Sequence, residues 1–400
     1  MAAIEMPPPR LTIGPFGWLR KNLFSTWYNA LLTFLALGLL YALLRPAIQW
    51  SLTEARWGVI SANLTLFMVG QYPRDQLWRV WLSIYLLGAL LGLSWGIWKH
   101  AARGFALIAL GSGFGFALIS LLLKSNVWIN WLLAVVLLLG FYALGRILPL
   151  SPRVRSVTSL AWLLYFPLVI LLIAGSRFIP FLIPVPTNLW GGLLLTLMIT
   201  IIGNVLSLPL GILLALGRRS KLPVVRYFSI VYIELIRGVP LITVLFMAYL
   251  LVPLFLPSNV PHPDAVIRAI IGFILFEAAY QAENVRGGLQ AVGRGQYEAA
   301  QALGLSGPLT MSFIILPQAL RAVIPAIFNS FISLFKDTSL VAIIGLFDIL
   351  RIGRSVLAQS EWLGTHREVF LFAFLIYWGF NMAFTYGSRR MEEAMGVGRR

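Results

Sequence analysis

The chain has 400 residues, of which 59% are hydrophobic and 11% are charged, and its mean hydropathy is +0.86. A soluble globular protein carries about a quarter charged residues, so this composition excludes a soluble protein. The abundance of apolar residues equally excludes a disordered chain. The class that remains is a membrane protein with several spans.

The charges are unbalanced: 31 Lys and Arg residues stand against 14 Asp and Glu residues, for a net charge of +17. In so apolar a chain we expect the cations to set membrane topology, and we expect no nucleic-acid partner. Cysteine is absent, and His100, His262 and His366 lie far apart. This excludes a disulfide scaffold, a catalytic cysteine and a structural zinc site.

Ten apolar stretches are long enough to cross a bilayer, which takes about 20 residues. They are residues 23–44, 80–98, 104–123, 127–145, 157–176, 189–216, 238–256, 266–285, 316–335 and 369–387. The first is too long for a signal peptide, and no small-residue cleavage site follows it. The sequence therefore predicts an all-α polytopic membrane protein with about ten transmembrane helices, or fewer if 127–145 and 338–350 are interfacial.

A Pro-rich link near 180–188 predicts two parts. Residues 1–185 form an N-terminal extension of about five spans, with a periplasmic loop near 45–79 and a helix-packing seam at Gly111, Gly113 and Gly115. Residues 186–392 form a second domain, and 393–400 a tail. The Lys and Arg distribution predicts that both termini lie in the cytoplasm.

Acidic residues are concentrated in the second domain, since residues 1–200 hold only three of them. Ionisable groups at membrane depth are costly and usually functional, so we expect the chemistry there. The polar loop 286–317 is too long for a tight helical hairpin. Its helix-forming residues 296–303, followed by Gly304 and then Ser306 with Pro308, predict two short helices joined at a glycine. An ordinary solvated loop is the alternative.

The spacing within this loop is specific. It resembles the signature loop of ATP-binding-cassette importer permeases at Glu298, Ala299, Ala300, Gly304, Ile314, Leu316 and Pro317. Three flanking segments resemble motifs of polar amino-acid uptake permeases: Arg237-Gly238-Val239-Pro240, residues 282–288 and residues 336–340. The long N-terminal half resembles the larger subunit of general L-amino acid permeases.

The resemblance implies a MetI-like core of five helices in the bacterial inner membrane. It also implies partners: a second, related permease, cytoplasmic ATPases and a periplasmic solute-binding protein that delivers amino acids. The chain has no Gly-Lys dipeptide and hence no P-loop, so we expect it to bind no cofactor, while the partner ATPase uses ATP and Mg. The loop Glu298–Pro317 is then expected to couple ATPase closure to alternating access.

One departure lies in this loop, because Met311-Ser312-Phe313 stands where the family often carries arginines. Docking of the ATPase is therefore expected to rely on Arg294 and Arg321, or to be less electrostatic.

The resemblance places the substrate pathway along one segment, with candidates Asn329, Ser330, Ser333, Asp337 and Thr338. Asn329 and Ser333 are four residues apart and share a helix face. Asp337 is expected either to bind a substrate ammonium or to pair with Lys336 at the interface. The neutral Ser330 predicts that neutral and polar amino acids are carried at least as well as arginine or lysine.

Other polar residues are expected to shape or gate the path. Glu283 and Arg286 are three apart, which predicts a structural ion pair rather than substrate contact. Glu277 lies deeper in the eighth span and needs a partner or a neutral state. The segment Arg237–Pro240 predicts a turn into the seventh span, with Arg237 acting structurally or on the substrate.

Two other classes are alternatives. A secondary transporter would also suit ten spans with broken helices, although no internal repeat is visible. A membrane-embedded enzyme is disfavoured, because the sequence has no His-Glu-x-x-His motif and no Cys/His nucleophile set. We expect a transport subunit and not an enzyme.

Overall fold

The computed structural model describes residues 14–122, 125–149, 151–257, 259 and 262–395. In this part of the chain the regular structure is helical, apart from one isolated bridge between Gly70 and Trp190. The helices are α1 Pro15–Asn22, α2 Trp27–Thr53, α3 Gly58–Val69, α4 Leu77–Trp98, α5 His100–Leu122, α6 Trp128–Ile147, α7 Pro152–Ala174, α8 Gly192–Arg218, α9 Pro223–Gly238, α10 Leu241–Phe255, α11 Ala265–Ala291, α12 Arg294–Ala302, α13 Gly307–Leu309, α14 Leu316–Asp337, α15 Ile349–Leu357 and α16 His366–Met395.

The predicted all-α architecture of about ten spans is confirmed. Nine helices of the described chain are long and apolar enough to cross a membrane, and α9 with α10 form a tenth candidate, bent by 108°. The first predicted stretch, 23–44, differs in its bounds. Helix α2 continues through Pro46 to Thr53, since membrane helices tolerate an internal proline.

The chain divides into two compact units between Trp57 and Gly58. In the first unit, α2 begins at Thr26, whose hydroxyl accepts a hydrogen bond from the Asn29 backbone N–H. Its side chains are apolar on all sides, and none is buried within the unit. Such a helix suits surroundings of lipid or of other membrane helices.

The segment predicted as a loop, 45–79, is largely helical. It contains the end of α2, the whole of α3 and a 3₁₀ turn at Arg74–Gln76. Helix α3 is apolar and buries Phe67 completely, with the Phe67 and Phe372 rings 5.1 Å apart. Because α3 has this apolar face, it packs into a core shared with α15 and α16 instead of remaining a loop.

In the second unit, α4 and α6 approach most closely at glycines. A Cβ atom on Gly92 would lie 2.0 Å from the Leu138 carbonyl oxygen, so only a glycine fits there. The predicted seam holds only at Gly113, where a Cβ would lie 2.7 Å from Val135 Cγ2 of α6, because a Cβ at Gly111 or Gly115 would meet nothing within 4 Å. The backbone contact lies instead on α4 and α6.

Helices α8, α11, α14 and α16 pack together and form the centre of the second unit. Leu195 of α8, Phe273 of α11 and Leu334 of α14 are at most 1% exposed. The Phe335 ring lies 5.3 Å from the Phe380 ring, which joins α14 to α16. This core holds α14, which carries the predicted residue Pro317 in its first turn and the predicted residue Asp337 at its end. Residues 396–400 of the predicted tail lie outside the described residues.

Candidate functional site

The segment that follows α11 is a short helix closed by a left-handed glycine. Helix α12 ends before Gly304, whose φ is +75°. The Gly304 N–H donates to the Gln301 carbonyl at 2.9 Å, and the Leu305 N–H donates to the Ala300 carbonyl at 3.1 Å. These two bonds are those of a Schellman motif, which satisfies the last carbonyls of a helix.

The long polar loop predicted over 286–317 is mostly helical. Only residues 292–293 and 303–306 lie outside helices between α11 and α14. The second short helix, which begins at Gly307 with Pro308 in its first turn, does not end as a separate element. It continues through a π-helical segment, Thr310–Ile315, into α14. Ile315 is fully buried in a cluster with residues of α8 and α11. Because this packing stabilises helix before Leu316, the polar loop is shorter than predicted.

The π-helical segment contains the residues that depart from the family pattern, Met311-Ser312-Phe313. Pro317 follows it and lacks the N–H that would bond to the Phe313 carbonyl, which interrupts the regular ladder here. The Phe313 side chain is 69% exposed. The sequence did not indicate this irregularity, since no local propensity distinguishes a π segment from an α-helix.

Exposure divides the signature residues into two groups. Ala300 is 3% exposed, whereas Glu298, Ala299 and Gly304 are exposed. Leu303, directly after the last residue of α12, is 80% exposed, which is unusual for a large apolar side chain. The remaining signature residues are partly buried or exposed near the start of α14: Ile314, Leu316 and Pro317.

A groove of about 410 Å³ lies beside α12 and is open on one side. Its walls come from the end of α11, the first turn of α12 and the Gln318 region of α14. The Gln318 side-chain amide donates to Gln296 Oε1 at 3.1 Å, which ties α12 to α14. Arg294 and Arg321 are exposed on the same two helices.

An ionic cluster joins the C-terminal ends of α8 and α9 to α11, and we call it the Glu283 cluster. Glu283 accepts hydrogen bonds from Arg218 at 2.9 Å and from Arg286 at 2.7 Å, and it forms an ion pair with Arg237 at 3.5 Å. Arg218 also lies 3.0 Å from Glu234. The Glu283 side chain is 15% exposed. Three helices, α8, α9 and α11, are therefore joined by one carboxylate.

The sequence linked Glu283 to Arg286, and the structure adds Arg218 and Arg237. Arg218 was visible only as one cation in a basic run, so its role as a partner depends on tertiary packing. The Arg237 guanidinium also lies 5.6 Å from the Tyr280 ring centre. Gly238 ends α9 and Pro240 precedes α10, so the 108° bend lies at this point.

A chain of polar side chains crosses from α11 to α14. Gln281 donates to Glu277 at 3.2 Å, and Asn284 donates to Ser330 at 3.2 Å. Asn284 also lies 3.5 Å from Gln281. Glu277 is 5% exposed, and a carboxyl group buried at membrane depth needs hydrogen-bond partners such as Gln281. Gln281 and Asn284 were not identified from the sequence, although the spacing 277, 281 and 284 places all three on one helix face.

The other candidates for the substrate pathway are spread along α14. Asn329 and Ser333 are exposed, and Asp337 is half-buried. The Thr338 hydroxyl is buried and donates to the Phe335 carbonyl at 2.7 Å. Lys336 is exposed, and no ion pair between Lys336 and Asp337 is present in the described part of the chain.

Comparison with known proteins places these features in a family. Residues 207–396 match the model of the binding-protein-dependent transport system inner membrane component. The chain is 40% identical over 398 residues to the inner membrane amino-acid ABC transporter permease protein YhdY of Escherichia coli K12, covering 96% of this chain and 93% of that protein. It is 38% identical over 434 residues to the glutamate/glutamine/aspartate/asparagine transport system permease protein BztC of Rhodobacter capsulatus, covering 97% and 95%. A crystal structure of an amino acid ABC transporter with histidines matches at 29% identity and a TM-score of 0.44, covering 50% of this chain and 89% of that chain.

The chain therefore belongs to the binding-protein-dependent inner membrane components, the permease subunits of ATP-binding-cassette importers. It is a multi-pass inner membrane protein and a transport subunit, not an enzyme. The predicted resemblance is confirmed, and the alternatives of a secondary transporter and a membrane-embedded enzyme are wrong.

Proposed function

We propose that this chain carries polar amino acids of broad specificity across the inner membrane after a periplasmic solute-binding protein delivers them. Partner ATPases in the cytoplasm hydrolyse Mg-ATP, and this chain binds no cofactor. The observation that carries the proposal is that the last signature residues, Ile314, Leu316 and Pro317, and the polar segment belong to one helical stretch, Gly307–Ala342. A displacement of one end of this stretch therefore moves the other end.

The length of this stretch allows a movement at its start to be transmitted to the polar segment. Pro317 and Ser330 are separated by about 20 Å at 1.5 Å per residue. The Gln296–Gln318 hydrogen bond and the buried Ala300 attach α12 to the base of α14. When the ATPases close and move α12, α14 is expected to move as a rigid element and to open or close the path beside Ser330.

The surface of α12 indicates how an ATPase docks. Leu303 and Phe313 are 80% and 69% exposed, and Glu298, five residues before Leu303, is also exposed. We propose a contact in which these two apolar side chains enter the ATPase surface and Glu298 forms a hydrogen bond or an ion pair at its edge. Arg294 and Arg321 supply the remaining charge, in place of the arginines that the π-helical segment lacks.

The polar chain between α11 and α14 supports amino-acid substrates. Ser330 and Asn284 offer neutral hydrogen-bonding groups, and Asp337 offers a carboxylate for a substrate ammonium. The names of the two full-length relatives include amino acids, and one includes glutamine and asparagine. We propose that neutral and polar amino acids are carried at least as well as arginine or lysine.

We propose a heterodimer with a second, related permease, and both termini in the cytoplasm. Asn329 and Ser333 are exposed in the single chain, although their neighbours on α14 are apolar. A second permease placed against this face would enclose a path between two polar surfaces. The basic residues near α12 are then on the cytoplasmic side, as positive charges in short loops require.

Uptake by the whole complex tests the coupling assignment. Glu298→Lys should abolish ATP-driven uptake in proteoliposomes while the chain remains inserted and assembled. Glu361→Lys is the matched control, since Glu361 is also exposed but lies far from α12 in sequence. Unchanged uptake by the Glu298 variant would show that this segment does not couple. Uptake that needs an ion gradient and no ATP would contradict the proposed function as a whole.

A further inference from the structure

Helix α9 combines features of an interfacial helix. It is bent by 108° from α10, so the two cannot both cross the membrane as one straight span. One face carries Val224, Phe228, Val231 and Leu235, which are 81%, 66%, 61% and 62% exposed. A helix with an apolar face and a basic start lies in the boundary between headgroups and acyl chains.

An apolar groove opens beside this helix. Its volume is about 310 Å³, and it is formed by Leu210, Leu213 and Leu214 of α8, Phe228 and Tyr232 of α9, and Leu275 of α11. The Tyr232 hydroxyl donates to the Leu275 carbonyl at 2.7 Å, which fixes the floor of the groove. The exposed lining is almost entirely apolar, and such a groove accepts hydrocarbon and not a polar solute.

Basic residues lie between the α8 and α9 parts of this groove along the chain. The turn between α8 and α9 and the first turns of α9 carry Arg219, Lys221 and Arg226. At 1.5 Å per residue, Leu210 to Leu214 lie about 6 to 12 Å from Arg218 along α8. This is the depth at which an acyl chain begins beneath its phosphate.

Two of these cations are available to an external anion. Arg218 is engaged by Glu234 and Glu283, and Arg219 lies 3.4 Å from the Tyr297 hydroxyl. Within the described residues, neither Lys221 nor Arg226 has a carboxylate within 4.0 Å. Both side chains are exposed.

We propose that this groove binds an anionic phospholipid, with an acyl chain between α8, α9 and α11 and the phosphate held by Lys221 and Arg226. Charge complementarity selects an anionic lipid over a zwitterionic one, since each Lys or Arg near such a surface contributes about a fivefold preference. The inference does not depend on the substrate or on the coupling mechanism. Bound lipid would fix α9, and through it Arg237 of the Glu283 cluster.

Lipid retention by the full-length chain tests the site. The purified protein is incubated in detergent with dioleoylphosphatidylglycerol or dioleoylphosphatidylcholine, and retained lipid is counted by native mass spectrometry. Wild type should retain the phosphatidylglycerol preferentially. The K221Q/R226Q variant should lower this preference by about 25-fold. R153Q/R155Q is the matched control, because it also removes two exposed cations and should behave as wild type.

A second variant separates the groove from the charges. Leu213→Trp fills the groove without changing a cation and should reduce retention of both lipids. Equal retention of the two lipids by wild type, or an unchanged preference in K221Q/R226Q, would overturn the proposal. Because the chain has no cysteine, Leu213→Cys supplies a unique thiol. Cross-linking of that thiol to a protein subunit in native membranes would show that a partner covers the groove, which would also overturn it.

Discussion

The Arg218 guanidinium lies 2.9 Å from the Glu283 carboxylate and joins the end of α8 to α11. The two residues are 65 positions apart, and Glu283 also binds Arg286 on its own helix. A single carboxylate thus neutralises cations from three helices, α8, α9 and α11. Helices that are joined here are expected to move together when α12 is displaced.

Loss of this carboxylate should destabilise the protein. Glu283→Gln leaves three arginines without their shared acceptor, and hydrogen bonds to charged groups contribute about 2 kcal/mol. We expect a lower Tm of the detergent-solubilised complex. Glu393→Gln is the control, since the Arg390–Glu393 pair is largely exposed and solvent screening leaves it little effect on stability. Equal shifts in Tm would contradict a structural role for the Glu283 cluster.

The C-terminal end of α12 should depend on the backbone conformation of Gly304 and not on side-chain packing around it. A Cβ there would meet nothing within 4 Å, but its φ is +75°, which costs about 1 to 2 kcal/mol for an L-residue with a side chain. Gly304→Ala should speed amide hydrogen exchange at Leu305 and weaken transport. Gly304→Asn should have a smaller effect, because asparagine tolerates this conformation. Gly307→Ala is the control, and a similar loss in that variant would rule out the backbone explanation.

Substrate selection should respond to charge at Ser330. Ser330→Asp places a carboxylate beside Asn284, and a partly solvated ion pair contributes about 1 kcal/mol, or about a fivefold change in preference. We expect competition assays to shift toward arginine and lysine relative to glutamine. Ser360→Asp, at an exposed serine outside α14, should leave the ratio unchanged. A ratio that does not move in the Ser330 variant would remove this residue from the substrate pathway.

The start of α15 should make stability depend on pH. Asp348 is fully buried and accepts hydrogen bonds from the Leu350 and Arg351 backbone N–H groups at 3.1 and 3.0 Å. Burial raises the pKa of Asp348 to about 6, against the opposing effect of these hydrogen bonds and of Arg354. Because the folded-state pKa exceeds the ordinary value, stability from this group is complete below about pH 4 and is lost as pH rises through 6.

Asp348→Asn should remove this pH dependence and keep the helix cap, since asparagine caps a helix as well as aspartate does. Thermal unfolding between pH 4 and 7 measures both effects. Asp348→Ala is the comparison, because it also removes the charge but loses the cap and should lower Tm at every pH. If the wild type and the Asn variant show the same pH profile, Asp348 does not titrate in this range.

Much of the fold followed from composition and hydrophobic length. All ten predicted stretches are mainly helical, because about 20 predominantly apolar residues have few other stable states in a bilayer. Errors occurred where a boundary depends on packing. Helix α3 was predicted as loop, since a short apolar run does not reveal whether a core receives it. Gly92 was missed for the same reason, because its neighbour Leu138 lies on another helix.

The candidate site divides in the same way. The spacing of Glu298, Gly304 and Pro317 predicted the signature segment and its short helix α12, since these residues lie within one stretch of chain. The Schellman ending of α12 was also local and followed from Gly304. The π-helical segment before Pro317, by contrast, has no sequence signal and arises where Ile315 is buried against two other helices.

The sequence alone determined the class of protein, the approximate number of spans and the position of the signature segment. These depend on composition, on run length and on spacing along the chain. Only the tertiary structure decided that Arg218 is a partner of Glu283, that Asn284 bonds to Ser330 and that α9 lies across a groove. The reason is physical: ion pairs and polar bonds in a membrane form between residues that helix packing brings together, and sequence distance carries no information about which helices pack.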